Sequence, residues 1–333
     1  MTTLAFFNNK GGVGKTTLAY HLAIMMSRLR QRVLVVDLDP QANLTSHFMA
    51  EDELEGLWAG DGEVSTVADA VAPIIEGLGD IAAMTPRPVG EDLWLLPGDL
   101  ALSRFEDRLA AAWPQSFTGA DPGAVRTTTA FYRIIERASQ QVRPDVVLVD
   151  VGPNLGAINR AALLAADHVL IPVGADLFSL QGLRNLGPTL RDWRTTWQGT
   201  VRPRVPTGIS APAGHMSPLG YVVMQPSMRL DRPVKAYGRW LSRMPETYSS
   251  FVLDAASSGD TSHAVATVRN YRSLMPLAHD ARKPMFDLLA ADGAVGSTSR
   301  YVAQCRQDFQ TLALDVLARL DVPAAGLESA TAL

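Results

Sequence analysis

Short apolar runs alternate along the chain with stretches of helical periodicity. In Thr16–Arg30, for example, apolar residues recur about every three or four positions, which is the spacing of one helix face. The apolar runs are continuous, as in strands that are covered on both sides of a sheet. The alternation predicts an α/β fold with a mostly parallel sheet and helices on both faces. The predicted strands are Thr3–Asn8, Arg32–Asp37, Leu93–Leu96, Asp145–Asp150, His168–Val173 and Gly220–Met224, and the predicted helices are Thr16–Arg30, Leu100–Ala112, Thr128–Val142, Ala157–Ala166, Ser179–Trp193 and Val302–Leu320.

Two stretches fit this alternation poorly. Residues 51–127 are too long for an ordinary connection and contain glycine- and proline-rich pieces, so they are expected to form an elaborated insertion. Residues 194–218 are rich in proline, glycine and arginine, and Gln198–Pro218 is expected to be a mobile or extended surface loop without helix. We therefore expect one domain, 1–325, with two insertions and a flexible tail at 326–333.

The composition excludes several kinds of cysteine-based site. The chain has 333 residues, of which 47% are hydrophobic and 19% charged, as is usual for a globular protein. The single cysteine, Cys305, excludes a disulfide framework and a four-cysteine zinc or iron–sulfur site within one chain. No basic leader and no run of about 18 apolar residues is present, so we expect a cytoplasmic protein without membrane attachment.

Charge is segregated along the chain. The formal net charge of −4 conceals a stretch, residues 51–99, with twelve acidic side chains and one basic side chain. Residues 177–243 carry ten basic and two acidic side chains, a balance of +8. Such asymmetry can indicate a basic surface that faces a polyanion, although arginines scattered over solvated helix faces would give the same composition.

Residues 10–17, which we call the phosphate loop, lie between the first predicted strand and the first predicted helix. Glycines let the backbone approach a phosphate closely, and a helix N-terminus adds partial positive charge. This placement predicts that the loop binds a nucleotide. The predicted nucleotide-binding residues of the loop are Gly11, Gly12, Val13, Gly14, Lys15, Thr16 and Thr17.

Two side chains give the loop its chemistry. Lys15 suits the β- and γ-phosphates, and the Thr16 hydroxyl suits Mg²⁺, which takes few protein ligands. The pattern GxxxxGK[ST] would place glycine at position 9, where the chain has Asn9, and Lys10 adds a second lysine. The loop is therefore a deviant form of the common phosphate-binding pattern.

Three segments resemble the ParA/MinD family of deviant Walker A ATPases, and the ParA/Soj branch most closely. They are FNNKGGVGKTTLAYHLA, VLVVDLDPQANLT and DVVLVDVGPNLGAINRAALLAADHVLIPV, in the family's order. The resemblance implies a P-loop NTPase fold, ATP and Mg²⁺ as cofactors, and an ATPase that is slow until a partner stimulates it. It also implies an ATP-dependent homodimer.

The resemblance further implies roles for single residues. Lys10 resembles the signature lysine that crosses the dimer interface to the partner's nucleotide, and Asp39 stands where the family positions the attacking water. Thr16, Asp37 and Asp150 are the implied metal-site residues. Gly152 is implied to offer its N–H to the γ-phosphate, and Gln225 to approach the base.

The chain departs from the family pattern at two places. Asn8-Asn9 precedes the signature lysine, and Gly152-Pro153 stands where the family usually has two prolines. Both departures touch nucleotide-sensing loops, so they bear on turnover and coupling more than on nucleotide binding.

Among members of this wider group, redox enzymes need two cluster cysteines, and membrane-attached members need a basic amphipathic C-terminal helix; the chain has neither. The resemblance thus implies a switch that binds DNA nonspecifically in DNA partition and is nucleoid-associated. An alternative is a positioning ATPase whose acidic 51–99 stretch contacts a cargo protein, and a carboxylate-activating ligase is a less favoured third reading. The DNA-binding candidates are Arg191, Arg194, Arg202, Arg204, Arg229 and Arg232.

Overall fold

A computed structural model describes residues 1–59, 64–224, 234–255, 263–271 and 273–323. Within these residues eight strands form one sheet, in the order β3-β4-β2-β5-β1-β6-β7-β8. All neighbours in this sheet pair in parallel except β3 and β4, which are antiparallel. The strands are β1 Thr2–Phe6, β2 Val33–Asp37, β3 Arg87–Gly90, β4 Leu93–Leu96, β5 Val146–Asp150, β6 His168–Gly174, β7 Ser217–Met224 and β8 Ala264–Val268.

Helices cover both faces of the sheet. Successive side chains of a strand point to opposite faces, and in β1 Ala5 joins one apolar cluster while Leu4 and Phe6 join the other. The predicted α/β architecture is therefore confirmed. The α-helices are α1 Lys15–Arg28, α2 Asn43–Phe48, α3 Glu51–Ala59, α4 Val67–Glu76, α5 Phe105–Gln115, α6 Pro122–Thr128, α7 Ala130–Val142, α8 Ala157–Leu164, α9 Leu177–Thr196, α10 Val234–Leu241, α11 Met244–Thr247, α12 Leu274–Ala281 and α13 Ser297–Arg319.

The six predicted strands are present, but the sequence pattern missed β3 and β8. Both lie at the edges of the sheet, where one side of the strand has no neighbour and a continuous apolar run is not needed. Strand β3 reads RPVG and contains Pro88, a residue that sheets accept at an edge because it lacks an N–H group. The predicted helix Leu100–Ala112 begins instead as a 3₁₀ turn, Leu100–Arg104, before α5.

The stretch 51–127 contributes to the main sheet. Its strand β4 pairs in parallel with β2, and β3 folds back on β4 at the edge. Side chains from α4 and α5, among them Val71 and Leu109, are buried in the same apolar cluster as β1 and β5. The expected flexible tail, 326–333, lies outside the described residues.

The expectation that Gln198–Pro218 contains no helix is wrong for its first part. Helix α9 continues into a π-helical turn, Trp197–Val201, and a 3₁₀ turn, Arg202–Arg204. Trp197 is fully buried and its indole N–H donates a hydrogen bond of 3.0 Å to the Pro212 carbonyl. Burial of this large side chain holds the turn in place, and Pro203 lies at the helix start, where its missing N–H costs little.

Candidate phosphate and metal site

The phosphate loop joins the carboxyl end of β1 to the first residue of α1. Gly12 and Gly14 have positive φ angles of 70° and 84°, a conformation that glycine adopts without strain. A Cβ at Gly14 would also lie 3.0 Å from Met224 Cε. Gly11 and Gly12 are exposed at the N-terminus of the helix, so the backbone here can receive an anion.

Lys15 is buried between acidic groups. Burial lowers the pKa of its ammonium group, while the carboxylates of Asp150 and Asp39 act in the opposite direction. The side chains of Val13 and Lys15 are buried, whereas Thr16 and Thr17 are half-buried beside them. The structure thus brings the predicted lysine and two predicted carboxylates into one charged cluster at the phosphate loop.

Asp37 and Asp150 end neighbouring strands and pair directly in the register of β2 and β5. Both are fully buried. Asp37 accepts hydrogen bonds from the Thr45 backbone N–H, at 2.8 Å, and the Thr45 hydroxyl, at 2.7 Å. Burial nevertheless raises the pKa of Asp37 to about 6, and burial together with the charge of Asp37 raises the pKa of Asp150.

These residues fit Mg²⁺. The Thr16 hydroxyl donates a hydrogen bond of 2.6 Å to Asp150 Oδ2, whereas the buried Oδ1 atom of Asp150 has no hydrogen-bond partner among the described residues. A buried carboxylate oxygen without a partner is costly, and a hydrated cation would satisfy it. In the described part of the chain, no group of three or more His, Cys, Asp or Glu side chains is placed to hold a metal ion.

Asp39 faces the loop that follows β5. A Cβ at Gly152 would lie 3.3 Å from Asp39 Oδ1, and one at Gly11 would lie 3.9 Å from Pro153 Cγ. Asn159 fixes this loop, since its side-chain amide donates to the Gly152 carbonyl at 2.9 Å. The sequence analysis did not single out Asn159, although a buried amide within the apolar helix α8 was the available signal.

Glu106 is a second residue that the sequence analysis missed. Its two carboxylate oxygens accept hydrogen bonds from the first backbone N–H groups of α8, Ala157 at 2.6 Å and Ile158 at 2.9 Å. A carboxylate at a helix N-terminus is favourable both as a cap and through the helix dipole. Helix α5 thereby secures the start of the helix that follows the Gly152 loop.

The two lysines of the phosphate loop, Lys10 and Lys15, have different partners. Its ammonium group forms an ion pair with Asp176 Oδ2 at 2.6 Å, and each side chain is about one third exposed, at 33% and 32%. Lys10 therefore pairs with the residue before α9, whereas Lys15 interacts with the carboxylates of Asp150 and Asp39. Gln225, the candidate for the base, lies outside the described residues.

A cavity of about 320 Å³ opens beside the first turns of α1. Thr17, His47, Leu54 and Met275 belong to its lining, so helices α1, α2, α3 and α12 all contribute to it. Ligand pockets commonly have this size and mixture of apolar and polar groups. Thr17, the last residue of the phosphate loop, is part of the lining, so the cavity adjoins the loop.

The arginine candidates differ in their availability. Arg194 donates to the carbonyls of His215 and Met216 at 2.5 and 2.6 Å, and burial lowers its pKa. Arg191 donates to the Phe251 carbonyl at 2.6 Å, so both arginines take part in the fold. Arg202 and Arg204 are exposed, and Arg204 bonds only locally, to the Thr200 carbonyl. Arg229 and Arg232 lie outside the described residues.

Further exposed cations lie in the same part of the chain. Arg184 stacks over the Phe251 ring at 5.2 Å, and Arg239 and Arg243 lie over Trp240 at 4.3 and 5.7 Å. These three arginines belong to the basic stretch 177–243 but were not among the predicted DNA-binding residues. In the described part of the chain, no helix combines the length and apolarity needed to cross a bilayer.

Comparisons with known proteins identify the family and several relatives of this chain. Residues 1–202 match a family model described as "AAA domain". The chain is 32% identical over 188 residues to the sporulation initiation inhibitor protein Soj of Bacillus subtilis, covering 56% of this chain and 64% of that protein. It is 35% identical over 191 residues to the chromosome-partitioning ATPase Soj of Thermus thermophilus, covering 57% and 62%. The matches thus span somewhat less than two thirds of these relatives.

Solved structures of similar fold cover nearly the whole chain. The protein DIP2308 from Corynebacterium diphtheriae has a TM-score of 0.71 at 25% identity, with 96% of this chain and 99% of that chain covered. An ATP complex of McdA from Cyanothece has a TM-score of 0.62 at 19% identity and covers 97% of each chain, a likeness of fold. On the family model, the relatives and the three motifs together, the chain belongs to the AAA-domain family and to its ParA/MinD group of deviant Walker A ATPases, on the Soj/ParA side.

Proposed function

We propose that the chain is an ATP-hydrolysing switch of the ParA type, which dimerises around ATP and Mg²⁺ and then binds DNA nonspecifically. The convergence of the phosphate loop with Asp37, Asp39 and Asp150 carries this proposal, because it provides both phosphate binding and metal binding in one place. The relative described as a chromosome-partitioning ATPase supports a role in DNA segregation or positioning. Turnover is slow until a partner protein stimulates it.

The proposed chemistry consists of positioning and charge neutralisation. Bound Mg²⁺ would draw charge from the phosphates during in-line attack by water. Lys15 neutralises phosphate charge, and Thr16 and Asp150 hold the metal position. Asp39 accepts a hydrogen bond from the attacking water, for which its place beside Gly152 is suited.

Two further groups respond to the nucleotide state in this proposal. The Gly152 N–H contacts the γ-phosphate, and Lys10 of one protomer reaches the nucleotide of its partner, where it supplies positive charge in the manner of an arginine finger. Asp37, which is held by Thr45, orders the segment that carries Asp39.

DNA binding rests on the exposed arginines of the basic stretch. Among the candidates that the structure describes, Arg202 and Arg204 are exposed, and Arg184, Arg239 and Arg243 add exposed cations. Arginine and lysine bind duplex DNA mainly by neutralising phosphates, which releases counterions. The affinity should therefore fall steeply with salt and depend little on base sequence.

The test measures binding to a random duplex by fluorescence anisotropy, with a non-hydrolysable ATP analogue, across a salt series. We expect binding at low salt, with log affinity falling by roughly 0.9 per neutralised phosphate for each unit of log salt. The double variant Arg202→Glu/Arg204→Glu should bind more weakly, whereas Arg300→Glu, an exposed change on α13, should bind as wild type. Failure of the wild type to bind at low salt would refute DNA binding.

The acidic α3 supports a second candidate, a positioning ATPase whose main partner is a protein. Glu51, Asp52 and Glu53 form its first turn and are exposed. A pulldown with ATP from nuclease-treated extract distinguishes the two. Stoichiometric recovery of one protein that the variant Glu51→Lys/Asp52→Lys loses would favour this candidate.

A further inference from the structure

Three consecutive residues, Asn8, Asn9 and Lys10, lie against the segment that contains the end of β6 and the start of α9. The Asn8 side-chain amide donates a hydrogen bond of 2.7 Å to the Pro172 carbonyl at the end of β6. A Cβ at Gly182 would lie only 2.9 Å from Asn9 Oδ1, so α9 approaches the loop closely. The third contact is the ion pair between Lys10 and Asp176. Lys10 is thus held by Asp176, the residue that precedes α9.

Asp176 performs two tasks with its two oxygen atoms. Oδ1 accepts the Ser179 N–H at 2.9 Å and caps α9, while Oδ2 accepts the Lys10 ammonium at 2.6 Å. Burial alone would raise the pKa of Asp176, but the hydrogen bonds from Lys10 and Ser179 lower it. The carboxylate therefore stays ionised and keeps its attraction for the lysine.

The surroundings of the pair are those of a protein-binding surface. Phe178 is 74% exposed and Leu177 is 54% exposed, although both are large apolar side chains. The Lys10 ammonium lies 5.9 Å from the centre of the Phe178 ring. Exposed apolar residues that flank an exchangeable ion pair suit a contact with another chain.

We propose that Asp176 is a latch that holds Lys10 within its own protomer, and that a second copy of the chain must draw the lysine away before it can serve the partner's nucleotide. The proposal rests on the ATP-dependent dimer proposed above. Opening the latch opposes dimerisation, so Asp176 sets the protein concentration at which the switch closes. Asp176 acts through Lys10 and is a positioning residue.

The expected effect is moderate. A partly exposed ion pair changes an equilibrium constant by up to roughly fivefold. A symmetric dimer opens two such pairs, which gives up to about 25-fold in the dissociation constant if the two act independently.

Asp176→Asn tests the latch, because asparagine still caps a helix but lacks the charge. With a non-hydrolysable ATP analogue, we expect this variant to dimerise about 5- to 25-fold more tightly in analytical ultracentrifugation. In the nucleotide-free monomer, Lys10 should react faster with an amine-acylating reagent, as followed by mass spectrometry. Asp192→Asn, which removes an exposed carboxylate from the same helix, should change neither quantity.

Two results separate the latch from the underlying dimer. If the wild type dimerises but Asp176→Asn dimerises equally or more weakly, or labels Lys10 at the wild-type rate, the latch is refuted and the proposed function stands. If neither protein dimerises at any concentration tested, both the proposed switch and the latch are refuted. When Lys10 is already replaced by alanine, adding Asp176→Asn should not tighten dimerisation relative to Lys10→Ala alone, because there is no lysine to release.

Discussion

The Thr16 hydroxyl donates a hydrogen bond to Asp150 Oδ2 and so joins the first turn of α1 to the end of β5. This bond joins two of the groups that the proposed function gives to Mg²⁺. We expect Asp150→Asn to weaken nucleotide affinity at least tenfold in the presence of Mg²⁺ and to change it little in EDTA, because only the metal-dependent part is lost. Titration with a fluorescent ATP analogue measures both values. An equal loss in EDTA would contradict the metal assignment.

Removing Lys15 should abolish useful nucleotide binding. Lys15→Gln loses a charge-assisted contact to the phosphates and leaves Asp150 and Asp39 without their cation. Affinity should fall by roughly 100-fold, which corresponds to the upper range for a hydrogen bond to a charged group. Arg30→Gln, which breaks an exposed pair with Glu91 beyond the C-terminal end of α1, serves as the control in the same titration. Wild-type affinity in Lys15→Gln would mean that the phosphates bind elsewhere.

Asp39→Ala should separate binding from hydrolysis. The variant keeps the phosphate loop and should bind ATP and dimerise, but it loses the carboxylate that orients water. We expect phosphate release to slow by roughly 100-fold, as is typical when a general base or water-positioning group is removed. A phosphate-release assay at saturating ATP checks this. Normal turnover would show that another group orients the water.

His21 should make the fold sensitive to acid. It is fully buried, its Nδ1 lies 2.7 Å from the Thr17 carbonyl, and the Met285 N–H donates to Nε2 at 3.0 Å. This arrangement accepts only the neutral ring with its proton on Nδ1. Burial lowers the pKa of His21 from 6.5 to about 4.

The direction of the pH dependence of stability follows from proton uptake by His21 in the unfolded chain. Between pH 6.5 and pH 4 the unfolded chain binds a proton at His21 that the folded chain rejects, so the free energy of unfolding falls as the pH falls. The full loss is about 3 kcal/mol. Asp37, whose pKa is raised, acts in the opposite direction, so urea unfolding is compared between the wild type and His21→Gln from pH 7.5 to pH 4. Parallel curves for the two proteins would exclude the role of His21.

Gly98 lies so close to Asp37 that a side chain at this position would force a shift. A Cβ there would lie 2.9 Å from Asp37 Cγ and 3.0 Å from the Asp37 carbonyl oxygen. Gly98→Ala should therefore lower the free energy of unfolding by about 1–3 kcal/mol. Gly56→Ala is the matched control, because an added Cβ there meets nothing within 4 Å and should stabilise α3 by up to about 1 kcal/mol. Equal stability of both variants in urea would contradict the close contact.

Local signals explain how much could be predicted from the sequence. Buried strands are recognisable in the sequence as apolar runs, and the phosphate loop is recognisable as glycines between a strand and a helix. Both could therefore be predicted, as could Asp150 at the end of an apolar run. Contacts between distant segments leave no such trace. The pairing of Lys10 with Asp176, and the binding of Arg194 to the carbonyls near Met216, arise only when the chain is folded.

The Glu106 cap has a consequence for the size of the smallest working unit. The stretch 51–127 resembles an addition that could be cut away, yet its helix α5 supplies the carboxylate that receives the first two N–H groups of α8. Helix α8 directly follows the Gly152 loop, which is proposed to sense the γ-phosphate. Deleting residues 51–127 would therefore remove the cap that holds the start of this helix. An engineered miniature of this protein would therefore have to provide a replacement carboxylate at that helix start.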